Sequence, residues 1–224
     1  MKMIGDVRIF RSTVANIDGN PLPSCFCSKR VNIVLHRIVM KLREQRFSLG
    51  AYDHLYLNFT TCLEAGTMCP ASRSVDPYHD WYRFYDIGVS QTFYDALDSD
   101  QGLGCIIERL HVLLNSFFTS GNDCAISECI LEAVSKGEQL MVLYKTKQAT
   151  QLCASIYLQY LDSGKYVPHL YVRNANQEVL LYKKLEAALD LHAIGQIQLS
   201  SKRVTIKPRK NSFTQKRSQV TFEL

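Results

Sequence analysis

The sequence predicts an α+β fold, a mostly antiparallel sheet with a C-terminal β-meander packed against a helical middle section. Three observations lead there. Alternating apolar residues open the chain, apolar residues at helical spacing fill its middle, and four short strand-like runs separated by turn residues follow. Strand-like and helical stretches are segregated instead of alternating, which argues against a doubly wound sheet.

Val7 to Thr13 reads as a first strand, and Asp18-Gly19-Asn20-Pro21 as a turn. A helix capped by Ser28 follows, with Val31, Val34, Leu35, Ile38 and Leu42 on its inner face and Arg30, Arg37 and Lys41 in a row beside it. Gly50 is its expected stop. Tyr52 to Thr61 alternates as a second strand and Trp81 to Val89 as a third, with a long loop from Glu64 to Asp80 between them. Gln91 to Leu97 starts the helical middle. Leu103, Ile106, Ile107, Leu110, Leu113, Leu114 and Phe117 then form one stripe, and Cys124 to Lys136 predicts a third segment with Ile126, Ile130, Ala133 and Val134 inward. The meander comprises Leu140 to Lys145, Cys153 to Leu161, Tyr166 to Arg173 and Glu178 to Tyr182, turning at Asp162-Ser-Gly164 and Asn174-Ala-Asn176. A short helix over Lys183 to His192 and a last strand over Gln196 to Ile206 complete the reading. Residues 1–207 are expected to be a single α+β domain, and 208–224 a basic, partly flexible tail.

With 224 residues, 46% hydrophobic and 21% charged, the chain has enough apolar material for a core without staples. Its longest charge-free run, Gln148 to Leu161, is shorter than the ~18–20 apolar residues of a membrane span. The first residues lack the uninterrupted apolar stretch of a secretory signal. No membrane association and a cytoplasmic location are therefore expected. The formal charge of +5 is uneven: beyond residue 200, Lys202, Arg203, Lys207, Arg209, Lys210, Lys216 and Arg217 face Glu223 alone. Val220-Thr-Phe222-Glu-Leu224 alternates in a way that suits an edge strand.

The eight cysteines include the close pairs Cys25/Cys27, Cys62/Cys69 and Cys124/Cys129, none with the two-residue spacing of a zinc grip. Most are expected to be reduced core residues. No cofactor and no structural metal are expected. Asn58-Phe-Thr60 fits the glycosylation pattern, but without a secretory signal it is set aside.

The densest concentration of functional groups is Asp76-Pro-Tyr-His-Asp-Trp-Tyr-Arg-Phe-Tyr-Asp86. Aromatic residues and arginine dominate interface energetics. The segment therefore points to a protein-binding surface made of Asp76, His79, Asp80, Trp81, Arg83, Tyr85 and Asp86. A plainer reading has the aspartates capping turns and Arg83 pairing with Asp86 or Asp53. His54, Asp76, His79 and Asp80 would be the ligands of a metal-dependent hydrolase or nuclease, at a spacing that matches no metal motif. A nucleic-acid-associated alternative rests on Arg30, Arg37, Lys41, Arg209, Lys210, Lys216 and Arg217. No Walker loop, Gly-x-Ser-x-Gly elbow, His-Glu-x-x-His or dinucleotide fingerprint is present, and no residue is assigned a catalytic role.

Tyr52-Asp-His-Leu-Tyr-Leu-Asn-Phe-Thr60 and Trp81-Tyr-Arg-Phe-Tyr-Asp-Ile-Gly-Val-Ser90 resemble strand motifs of small bacterial immunity-type proteins, which neutralise toxins by binding them. The resemblance implies a non-catalytic, defence-associated protein-binding factor and carries over no individual functional residue.

Overall fold

The computed structural model describes residues 1–118, 123–210 and 218–224, and within the helix that starts at Asp123 it describes side chains from residue 125 onward. The backbone is α+β and divides into two compact units, Met1–Gly137 and Glu138–Leu224.

In chain order the first unit contains β1 (Lys2–Met3), β2 (Asp6–Ser12), β3 (Ser24–Cys25), α1 (Lys29–Glu44), β4 (Ser48–Gly50), β5 (His54–Thr60), β6 (Met68–Pro70), β7 (Tyr82–Gly88), α2 (Gln91–Asp95), α3 (Asp100–Phe118) and α4 (Asp123–Lys136). Its main sheet runs β3-β2-β5-β7-β6, with β2, β5 and β7 parallel and the short edge strands β3 and β6 antiparallel. Parallel neighbours need a crossover connection, which α1 supplies between β2 and β5 and the segment 61–81 supplies between β5 and β7. β1 and β4 pair separately.

Register gives this sheet two different faces. Val7, Ile9, Leu55, Leu57, Phe59 and Ile87 lie on one face and are buried. Helices lie against this face: α1 packs on β2, Phe93 of α2 stands 5.9 Å from Phe59, and Phe117 of α3 stands 4.9 Å from Tyr85. On the other face Arg8, Tyr56 and Phe84 align across the three parallel strands, as do Phe10, Asn58 and Asp86. Asn58 is completely buried there, so its place in a glycosylation pattern has no structural counterpart.

The α1 helix forms because its apolar residues recur at one face, where Val31, Leu35, Ile38, Val39 and Leu42 are buried; Ile33 is buried on the other side. Ser28 occupies the N-cap in extended conformation without a side-chain cap bond. The helix stops well before Gly50. Arg46 adopts φ 58°, its N–H bonds Arg43 O at 3.0 Å, and the Phe47 N–H bonds Leu42 O at 3.0 Å, which together form a Schellman ending. Arg37, expected on an outward basic row, is buried, because it lies on the side of α1 that carries Lys41, and α4 packs against that side. In α4, Ile126, Ile130 and Ala133 are buried as expected, but Val134 is exposed. It falls one residue off that stripe.

The second unit contains β8 (Val142–Gln148), β9 (Leu152–Tyr160), β10 (Tyr166–Asn174), β11 (Val179–Lys184), β12 (Gln196–Leu199), β13 (Arg203–Lys207) and β14 (Val220–Glu223). β8 to β11 form the antiparallel meander, in the order β11-β10-β9-β8. Gly164 at φ 83° and Gln177 at φ 66° serve the turns flanking β10. A second sheet has the order β12-β13-β14, and its apolar residues Ile197, Val204 and Ile206 are buried. Two expectations are corrected in this region. Residues 183–192 are not helical: β11 runs to Lys184, the Leu185 N–H bonds Pro168 O at 2.8 Å, and Ala188 bridges Tyr166, so the β10 ladder captures the backbone. The single last strand is a hairpin, because Ser200 accepts bonds from the Lys202 and Arg203 N–H groups and turns the chain between β12 and β13. The alternating C-terminal residues do form an edge strand, β14, paired to β13 within this unit.

Of the seven cysteines whose side chains are described, all are free thiols and Cys129 alone is buried; Cys25, Cys27 and Cys62 are exposed. The expectation of a mostly core role fails because those three sit on an edge strand or in loops. Cys124 lies outside the described side chains.

Candidate interaction site

The segment leading into β7 builds an exposed tip. Asp76 folds it: Oδ1 accepts the Tyr78 N–H at 2.9 Å, Oδ2 lies 2.6 Å from His79 Nδ1, and its carbonyl accepts the His79 N–H at 2.8 Å. The hydrogen bond to His79, followed by that from the Tyr78 amide, holds the Asp76 carboxyl below its usual range. The imidazole of His79 stands edge-on to Trp81, with ring centres 4.5 Å apart. The Trp81 carbonyl accepts the N–H groups of both Asp53 and His54 at 2.9 Å, which pins the base of the tip to the start of β5. Tyr78 is 86% exposed and Trp81 37% exposed, so this rigid turn presents two large rings to solvent. Asp80 lies 3.9 Å from Lys2.

Strand alternation separates the rest of the segment into two groups. Tyr82, Phe84 and Asp86 point to the sheet face opposite the helices, where Tyr82 stacks on Tyr56 at 4.8 Å and Phe84 meets Phe10 at 5.0 Å. Arg8 lies over the Tyr56 ring at 5.8 Å. Arg83 and Tyr85 point the other way. Arg83 donates to the Tyr82 carbonyl at 2.8 Å and lies 5.1 Å over the Tyr52 ring, so it pairs with neither Asp86 nor Asp53. Positions 83 and 86 are offset by three along the strand, which places them on opposite faces. The Tyr52 and Tyr85 hydroxyls are 3.2 Å apart, and burial, then this contact, pushes the Tyr52 hydroxyl pKa upward.

Of the seven expected contact residues, Asp76, His79, Asp80 and Trp81 form the exposed tip, Arg83 is half-buried, and Tyr85 and Asp86 are interior. Asp86 Oδ1 accepts Asn58 Nδ2 at 2.8 Å and Asn16 Nδ2 at 3.1 Å, while Asn16 Oδ1 accepts Arg73 Nε at 2.9 Å. This relay fixes the loop containing Asn16 and the loop containing Arg73 to the ends of the parallel strands. A cavity of about 180 Å³ beside the tip is walled by Tyr52, Arg73, Tyr82 and Arg83. Sequence reasoning missed Asn16, Arg73 and Tyr78 as contributors; for Tyr78, its place between Pro77 and His79 in a polar loop was the available signal.

The residues of the metal reading are not gathered. His54 pairs with Asp53 at 2.7 Å, Asp76 pairs with His79, and among the described residues no group of three or more His, Cys, Asp or Glu converges. The basic row is likewise engaged. Arg30 pairs with Asp100, Arg37 is buried, and Lys41 lies 2.6 Å from Glu44 and 2.9 Å from Glu132. In the second unit Arg209 donates to the Tyr144 hydroxyl at 2.5 Å and Lys210 is exposed, while Lys216 and Arg217 lie outside the described residues. No described helix is long and apolar enough to cross a membrane.

No family model matches the chain, and no curated protein or solved structure matches it either.

Proposed function

We propose that the chain is a non-catalytic protein-binding factor that engages a protein partner through the tip at Asp76–Trp81, in the manner of an immunity-like, defence-associated protein. The supporting observation is the exposure of Tyr78 and Trp81 on a turn already ordered by Asp76 and His79. Rigid aromatic groups lose little conformational freedom on association, and Tyr, Trp and Arg furnish most interface hot spots. The adjoining cavity, with Arg73 and Arg83 on its walls, suits an acidic side chain of the partner.

The test is quantitative affinity purification from the native host with the full chain as bait. A specific partner should be retained by the wild type and by a Lys183→Ala control in the second unit, and depleted with Tyr78→Ala and Trp81→Ala. Equal retention by all four baits sinks the assignment of the tip.

A further inference from the structure

Cys25 and Cys27 stand apart from the tip and have no part in the proposed interaction. Their sulfurs are 3.5 Å apart, with the Cys27 thiol donating to Cys25 Sγ, and both residues are exposed. The backbone explains their proximity. Cys25 pairs with Phe10 at the sheet edge, and in extended chain alternate residues share a side. Phe26 between them turns inward, buried, with its N–H bonded to Ile9 O at 2.9 Å, so that the flanking thiols project together. Arg8 is the nearby cation. Burial, then the Cys27 hydrogen bond, holds the Cys25 thiol above its usual range, and Arg8 opposes them. Asp6, the nearby carboxylate, is held by Arg8 at 2.6 Å.

We propose that Cys25 and Cys27 form a two-thiolate site for a soft monovalent cation, Cu(I). Thiolates select soft metals, and the site offers two sulfurs with no third ligand gathered beside them among the described residues. Zinc in a structural site takes four ligands, which this strand edge does not bring together. A disulfide suits the geometry less well. A rise of ~3.3 Å per residue sets alternate Cα atoms about 6.6 Å apart in extended chain, near the upper limit for a disulfide. Metal–sulfur bonds of about 2.3 Å instead accommodate sulfurs between the observed spacing and ~4.6 Å, which rotation of two exposed side chains supplies. On binding, each thiol releases its proton to solvent, two S–Cu bonds form, and copper stays Cu(I) with no electron transferred. The site passes from neutral to a net charge of −1, and the Arg8 guanidinium offsets it.

The experiment is an anaerobic titration of the reduced full chain with Cu(I) in competition with the chromophoric chelator bicinchoninate. One Cu(I) per chain should be withdrawn by the wild type and by Cys62→Ser and Cys69→Ser, and the withdrawal should be lost in Cys25→Ser and in Cys27→Ser. Arg8→Gln, which keeps both thiols, should weaken the affinity about 10- to 100-fold. Far-UV circular dichroism establishes that each variant is folded, and the Arg8 variant carries the test if a serine variant is not. Withdrawal by a Cys25→Ser/Cys27→Ser double variant equal to wild type overturns the proposal. So does a wild type that takes no copper, including one that instead forms a Cys25–Cys27 disulfide on exposure to glutathione disulfide.

Discussion

Asn58 and Asp86 face each other across two parallel strands, with Asn58 Nδ2 donating to Asp86 Oδ1 at 2.8 Å inside a region closed to solvent. Asn16 donates to the same oxygen, so one carboxylate serves two buried amides. Removing it strips Asn16 Nδ2 of this acceptor and leaves Asn58 Nδ2 only its longer bond to Ser12 Oγ at 3.3 Å, which costs more than the bonds themselves contribute. Asp86→Ala should destabilise the first unit by about 3 kcal/mol. Trp81 is the only tryptophan in the chain, so its fluorescence during urea unfolding follows this unit.

Lys41 joins two helices. Burial opposes its charge, but hydrogen bonds to Glu44 and to Glu132 of α4 outweigh burial and raise its pKa. Lys41→Met keeps the aliphatic stem and leaves the two half-covered carboxylates side by side. A loss of ~1–3 kcal/mol is expected. A double-mutant cycle with Glu132→Gln should return a coupling energy of about 0.5–3 kcal/mol, and additive effects would show that the pair does not tie α1 to α4.

Arg46 closes α1 in the left-handed region, a conformation that disfavours residues carrying a Cβ. Arg46→Gly should therefore stabilise the first unit by ~0.5–1 kcal/mol, the relief of strain exceeding glycine's extra freedom in the unfolded chain. A higher urea midpoint at unchanged slope is the expected readout.

Acid should weaken both units through one histidine each. His36 has its pKa lowered by burial and by Arg37 against the pull of Asp6, and His169 by burial and by Lys184. The unfolded chain then binds protons more readily than the folded one below its histidine pKa of ~6.5. The stabilisation is complete above that value and is lost as pH falls toward the depressed folded values. His36→Gln should flatten this dependence for Trp81 fluorescence, and His169→Gln should flatten it for amide exchange within β9 and β10.

Periodicity made most elements legible: the stripes of α1 and α3 and the alternation of β5, β7, β9 and β10 stand in the sequence because burial on one side imposes them. Pairing direction is not written in that way. Nothing local distinguishes β5 beside β7 as parallel, since the choice depends on where the chain travels between them. Lys183 to His192 favours helix by composition, yet its backbone groups meet the β10 ladder first. At the candidate site, the exposed acids and Trp81 were legible from their crowding in a polar loop. Tyr85 and Asp86 were misplaced on the surface because their crowding continued into a strand, where alternation and burial govern instead. The partners of Asp86 come from residues 28 and 70 positions away, a distance at which a single sequence carries no pairing signal.

The C-terminal strand has a practical consequence for anyone shortening this chain. β14 lies along β13 with Val204 opposite Phe222 and Ile206 opposite Val220, and the Thr205 and Thr221 hydroxyls meet at 2.9 Å. Cutting after Pro208 would strip that cover and offer a bare β-branched edge as a template on which other molecules can stack. A truncated protein that precipitates or self-associates would thus report a lost sheet margin and say nothing about the basic residues removed with it. Charge-neutralising substitutions at Arg209 and Lys210 leave the margin in place.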